Sequence, residues 1–71
     1  LPNPASDVLS VLLGRAAAAP LRVRVWGADG RLVLEGVLRA GAERLVLAVG
    51  DLPRGMYFVQ ADAAVRKVVL R

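Results

Sequence analysis

Leu52-Pro53-Arg54-Gly55-Met56-Tyr57-Phe58-Val59 reads as a corner followed by a buried strand. Pro53 fixes φ near −65° and cannot donate to a sheet ladder, so it ends whatever precedes it. Gly55 supplies a backbone conformation that a Cβ would resist. Two residues on stands Tyr57, the only tyrosine of the chain, at the head of an apolar β-prone run. In Greek-key sandwiches a tyrosine at such a corner buries its ring between the sheets and bonds its hydroxyl to the backbone a few residues upstream. The L-P-x-G-x-Y spacing suits that corner. The alternative is a tight turn before an ordinary strand with a half-buried tyrosine.

Outward from the corner, the same pattern repeats. Met56 to Ala61 reads as a strand with Tyr57, Val59 and Ala61 on one face and Phe58 and Gln60 on the other. After a turn at Asp62-Ala63-Ala64, Val65 to Arg71 forms the last strand. Upstream, Arg44 to Val49 alternates with Leu45, Leu47 and Val49 facing in. Leu21 to Trp26 alternates too, with Leu21, Val23 and Val25 opposite Arg22, Arg24 and Trp26. Gly27-Ala28-Asp29-Gly30 is a hairpin turn marked by Asp-Gly. Arg31 to Leu38 pairs back, with Leu32, Leu34 and Leu38 expected on one face and Val33, Glu35 and Val37 on the other; a second turn follows around Gly41. Val8 to Leu13 is a first strand whose near-continuous apolar content selects no face, and the same holds for Val65 to Arg71. Gly14 to Pro20 is an alanine-rich loop, too tightly bracketed for a helix. Leu1-Pro2-Asn3-Pro4 is an extended lead-in.

Short strands separated by turns every few residues predict an all-β, Greek-key β-sandwich of mostly antiparallel strands. The count is six, or seven if the stretch between Val49 and Leu52 adds one. The 71 residues make one domain, spanning 1–71. A domain this small buries only about 60% of its unfolded surface, and a 56% hydrophobic composition compensates. With 4% aromatics, the core is aliphatic.

Composition excludes much chemistry. Cysteine and histidine are absent, so thiolate nucleophiles, imidazole bases and disulfides are unavailable. Asp29, Asp51 and Asp62 fall in turns, where aspartate bonds its own backbone. Nothing clusters carboxylates as a calcium loop requires. Ser6 and Ser10 lack a histidine or lysine at a suggestive spacing. The expectation is no enzyme, no metal and no cofactor. No uninterrupted apolar run approaches the ~20 residues of a transmembrane helix. The net charge of +4 raises nucleic-acid binding, and Arg22, Arg24 and Trp26 share one face, as in a stacking platform. With a single aromatic among them, a solvated face is the expected reading.

Lys67-Val68-Val69-Leu70-Arg71 is apolar on both faces with a cation at each end. Either this is a central strand covered on both sides, or it docks onto another protein by its edge or its outer face.

Four stretches in register resemble a known family, the C-terminal sorting domain (type A) of the type IX secretion system of Bacteroidetes. Pro2-Asn3-Pro4-Ala5-Ser6-Asp7 resembles its P-N-P-x-x-D/N opening. Asp29-Gly30-Arg31-Leu32-Val33 resembles its G-R/K-x-V hairpin, and Leu52 to Val59 its L-P-x-G-x-Y-F-V corner. Lys67 to Arg71 resembles its ending, a lysine followed by an apolar run. Leu1, where an aromatic is common, and the alanine-rich loop depart from the pattern. The resemblance implies an immunoglobulin-like sandwich that is not an enzyme. It further implies a secretion signal at the end of a longer exported precursor, behind an N-terminal cargo domain. An outer-membrane translocon would read the signal, through Lys67, Val68, Val69, Leu70 and Arg71. A sortase-like cysteine protease would remove the domain. The cargo would pass through the periplasm to the cell surface or the medium, released or attached to anionic lipopolysaccharide. Pro2, Asn3, Pro4, Gly30, Arg31, Leu52, Pro53, Gly55 and Tyr57 are the motif residues, in structural or recognition roles. The rival expectation is an immunoglobulin- or fibronectin-like accessory module that binds carbohydrate or a surface protein.

Overall fold

The computed structural model describes residues 8–70. The motif residues Pro2, Asn3 and Pro4, and Arg71 of the terminal run, lie outside the described residues. The elements in order are β1 (Val8–Leu12), β2 (Leu21–Gly27), β3 (Leu32–Leu38), β4 (Arg44–Ala48), β5 (Gly55–Ala61) and β6 (Ala64–Leu70). They form two antiparallel sheets, β1-β4 and β3-β2-β5-β6. The thinnest dimension is 15 Å, in keeping with two sheets stacked about 10 Å apart.

Neighbours β2 and β5 are separated in sequence by β3 and β4, as a Greek key requires. In immunoglobulin terms β2, β5 and β6 occupy the C-F-G positions, β3 extends that sheet, and β1 with β4 take the B and E positions. The molecule is thus all-β, an immunoglobulin-like sandwich. Among the described residues there are six strands. The seventh expected between Val49 and Leu52 does not form, because Leu52 N–H donates to the Val49 carbonyl at 3.0 Å and closes a turn there.

The core follows the alternation. Val23 and Val25 of β2, Leu38 of β3, Leu47 of β4, and Tyr57 and Val59 of β5 are buried, together with Val49 and Ala17. Register settles the two faces that alternation left open. Leu9 and Val11 of β1 pack inward opposite Leu47 and Leu45. Val68 and Leu70 of β6 pack inward, whereas Val65 and Val69 face solvent.

One face assignment is corrected. Leu32 was expected to share a face with Leu34 and Leu38, but it is exposed and stands opposite Trp26. A bulge between Val25 and Trp26 inserts one extra β3 residue, which shifts the pairing from Val25↔Leu34 to Trp26↔Leu32. Two-residue periodicity cannot survive such an insertion. The core face of β3 is Leu34, Gly36 and Leu38, and a Cβ on Gly36 would come 2.9 Å from Leu47 Cδ2.

The alanine-rich segment between β1 and β2 is a loop, as expected, but a pinned one. Ala17 N–H donates to the Ala42 carbonyl at 2.9 Å, and Gly41 N–H donates to the Ala17 carbonyl at 2.8 Å. These bonds hold Ala17 against the core, where a small side chain fits.

Candidate functional site

The corner is built as its spacing predicts. Tyr57, near the start of β5, is buried, and its hydroxyl donates to the Pro53 carbonyl four residues upstream. That is the tyrosine corner of the F position in immunoglobulin-like sandwiches. Gly55 has φ of 145°, in a region essentially reserved for glycine. Leu52 packs against the core from the preceding turn. Leu52, Pro53, Gly55 and Tyr57 therefore act together as one local structure.

The hairpin motif is a second structural unit. Gly30 N–H donates to the Gly27 carbonyl at 3.0 Å, and Gly27 N–H donates to the Arg31 carbonyl at 2.7 Å. With Gly30 at φ 87°, this is a three-residue loop closed by a left-handed glycine. Asp29 Oδ1 accepts from the Arg31 N–H at 3.1 Å, so the aspartate stabilises its own turn. Arg31 and Asp29 also form an exposed ion pair at 3.8 Å, an interaction worth at most about 1 kcal/mol.

The terminal run lies on β6, which is the edge of the four-stranded sheet. The reading as a central strand covered on both sides is therefore set aside. Pairing with β5 is regular from Ala61↔Ala64 to Gly55↔Leu70, without a bulge. Lys67 stands opposite Phe58, and Val69 opposite Met56. Val68 and Leu70 belong to the inner face, so the terminal motif divides into two anchoring and two presented side chains.

Arg22, Arg24 and Trp26 share the outer face of β2, as expected, and some of their polar atoms are engaged by neighbouring strands. Arg24 Nε donates to Glu35 Oε2 at 3.0 Å, and Arg22 Nε approaches the same oxygen at 3.6 Å. The indole N–H of Trp26 donates to Gln60 Oε1 at 3.0 Å. This Trp26–Gln60 bond and the Glu35 bridge were not foreseen; the signal for them was their placement on solvent faces of strands that prove adjacent. Among the described residues no group of three or more Asp or Glu could hold a metal ion. Nor is any helix there long and apolar enough to cross a membrane.

The family model described as "Secretion system C-terminal sorting domain" matches residues 1–71, the whole chain. No curated protein and no solved structure matches it. That match leaves the accessory-module reading unsupported, and it places the domain among secretion tags rather than in a known catalytic family. Glycine-closed hairpin, tyrosine corner and terminal strand occur in the order of the motifs. The chain belongs to the C-terminal sorting domain family of the type IX secretion system, and it is a secretion signal for export to the cell surface or the medium.

Proposed function

We propose that the export machinery reads this signal through its terminal run, Lys67 to Arg71, with Lys67 and Val69 presented and Val68 and Leu70 holding the strand to the sandwich. The observation that carries the reading is the edge position of β6 combined with exposed valines: Val65 is 56% and Val69 52% exposed. Edge strands are commonly blunted by charged side chains, a proline, a bulge or brevity. Seven residues of β6 pair regularly with β5, without proline or bulge, and its two charges, Arg66 and Lys67, leave Val69 exposed beyond them. Such an edge suits recognition by an added strand or by side-chain contacts.

In this reading the reader is the outer-membrane translocon, and the domain closes a longer precursor behind an N-terminal cargo domain. A sortase-like protease then cuts between cargo and signal, after passage through the periplasm. The domain contributes no catalytic group to that cleavage.

The test is export of a reporter cargo fused to the domain in a type IX-secreting host. Lys67→Glu should leave the sandwich folded, because the side chain is exposed and surface substitutions of this kind usually stay within about ±0.5 kcal/mol. Circular dichroism and a thermal melt check that. Export should fall, with the fusion accumulating in the periplasm. A folded Lys67→Glu variant exported at the unmodified rate sinks the proposal.

A further inference from the structure

The outer face of the four-stranded sheet carries more apolar surface than a solvated face needs. Register aligns Leu32, Trp26, Phe58 and Lys67 in one row across β3, β2, β5 and β6. Met56 and Val69 form the adjoining pair. Leu32, Met56 and Val69 are each more than 40% exposed, while Trp26 and Phe58 are half-buried. Antiparallel sheets with one wet face normally alternate apolar-in and polar-out, and this end of the sheet does not. At the other end Arg22 and Arg24 converge on Glu35, with Val37 and Val65 exposed among them. The row thus runs from an aromatic centre to a single cation at the terminal strand.

We propose that this face, centred on Trp26 and Phe58 and continuing onto Met56 and Val69, is a composite docking surface for a protein of the export machinery. That protein presents an apolar patch with a carboxylate opposite Lys67. The inference rests on the terminal-strand reading and extends it: β6 is one border of a surface built by three further strands. Aromatic side chains flanked by apolar neighbours are the usual energetic centres of protein interfaces. Charge argues for the carboxylate. Lys67 stands at the border of the row beside Phe58, Val69 and Val65, and Glu35, the acidic residue among the described strands of this sheet, already faces two arginines. A second copy of the chain is disfavoured as the occupant, since two domains of charge +4 repel. Joining the terminal strand to the aromatic row in one contact also explains how a short apolar strand is told apart from other strand edges. Specificity comes from the combination rather than from main-chain pairing alone.

The experiment is the same fused-cargo export assay with three sets of variants. The first set changes the face away from the terminal run: Trp26→Ser, and separately Met56→Ser. The second set, Val8→Ser and Val46→Ser, removes comparably exposed apolar groups from the other sheet. The third is Lys67→Glu. Each is checked by circular dichroism, and Met56→Ser keeps the test decisive should Trp26→Ser fail to fold. The expected result is at least a tenfold fall in export for folded variants of the first set, with the second set exported normally. If the first set is exported normally while Lys67→Glu is blocked, the composite surface is refuted and the terminal-strand reading stands. If all three sets are exported normally, both fail. Equal losses in the first and second sets also refute the proposal, by showing a general sensitivity to lost apolar surface. Sedimentation of the domain closes the remaining route: a dimer dissociated by Met56→Ser assigns the face to a second copy and overturns the inference.

Discussion

Tyr57 and Gly55 depend on one another. The ring reaches the core only if the chain turns sharply two residues earlier, and the turn uses the φ of 145° at Gly55. Tyr57→Phe keeps the ring but strips the Pro53 carbonyl of its donor. A loss of about 1 kcal/mol or somewhat more is expected, the net worth of a hydrogen bond plus an acceptor left unpaired. Gly55→Val should cost more, about 1–3 kcal/mol for a side chain forced into that region. The cause is backbone strain and not a clash, because a Cβ there meets nothing within 4 Å. Urea melts giving both variants the unmodified midpoint would falsify the corner as a stabilising unit.

At the scale of the element, β3 shows how two neighbouring features redirect a strand. The bulge opposite Val25/Trp26 turns Leu32 outward, and Gly36 lets β4 approach closely. Gly36→Ala brings a Cβ within 2.9 Å of Leu47 Cδ2 and 3.2 Å of Leu45 Cδ2. Both are tips of flexible side chains, so the leucines can move, at a cost of about 1–2 kcal/mol for an overpacked contact. A lowered urea midpoint with an unchanged slope is the expected signature; a variant as stable as the original would show that the β3–β4 contact is loose. Alternation in the sequence placed the core faces of β2, β4 and β5 because those strands run without insertion. It misplaced Leu32 because a bulge has no signature in a two-residue period.

The whole molecule stands on few side chains. Among the described residues Leu38, Val23, Val25 and Val49 are the largest fully buried groups. At roughly 0.05–0.15 kcal/mol per residue, the chain has about 4–10 kcal/mol of stability to lose. Leu38→Ala, which typically costs about 2–5 kcal/mol, should populate the unfolded state at room temperature or lower the melting point steeply. A thermal melt within a few degrees of the original would contradict that core. The charge of +4 is also a property of the whole. Arg22 and Arg24 are tied to Glu35, and Trp26 is bonded to Gln60. The domain should accordingly show no salt-resistant binding to single-stranded DNA or RNA. A complex that survives physiological salt and disappears in Trp26→Ala would restore the stacking platform.

By itself the sequence determined the strands, their turns, the tyrosine corner and the family, because each depends on residues within a few positions of one another. Proline, glycine and aspartate set turns by local backbone preference, and a side chain alternates with its immediate neighbours. Which strands are neighbours is a different kind of fact. That β6 lies at an edge, and that Trp26 meets Phe58, comes from a pairing of β2 with β5 across 32 positions of chain. Only the tertiary structure decided these, because burial on one sheet against the other selects the pairing, and no local preference encodes it.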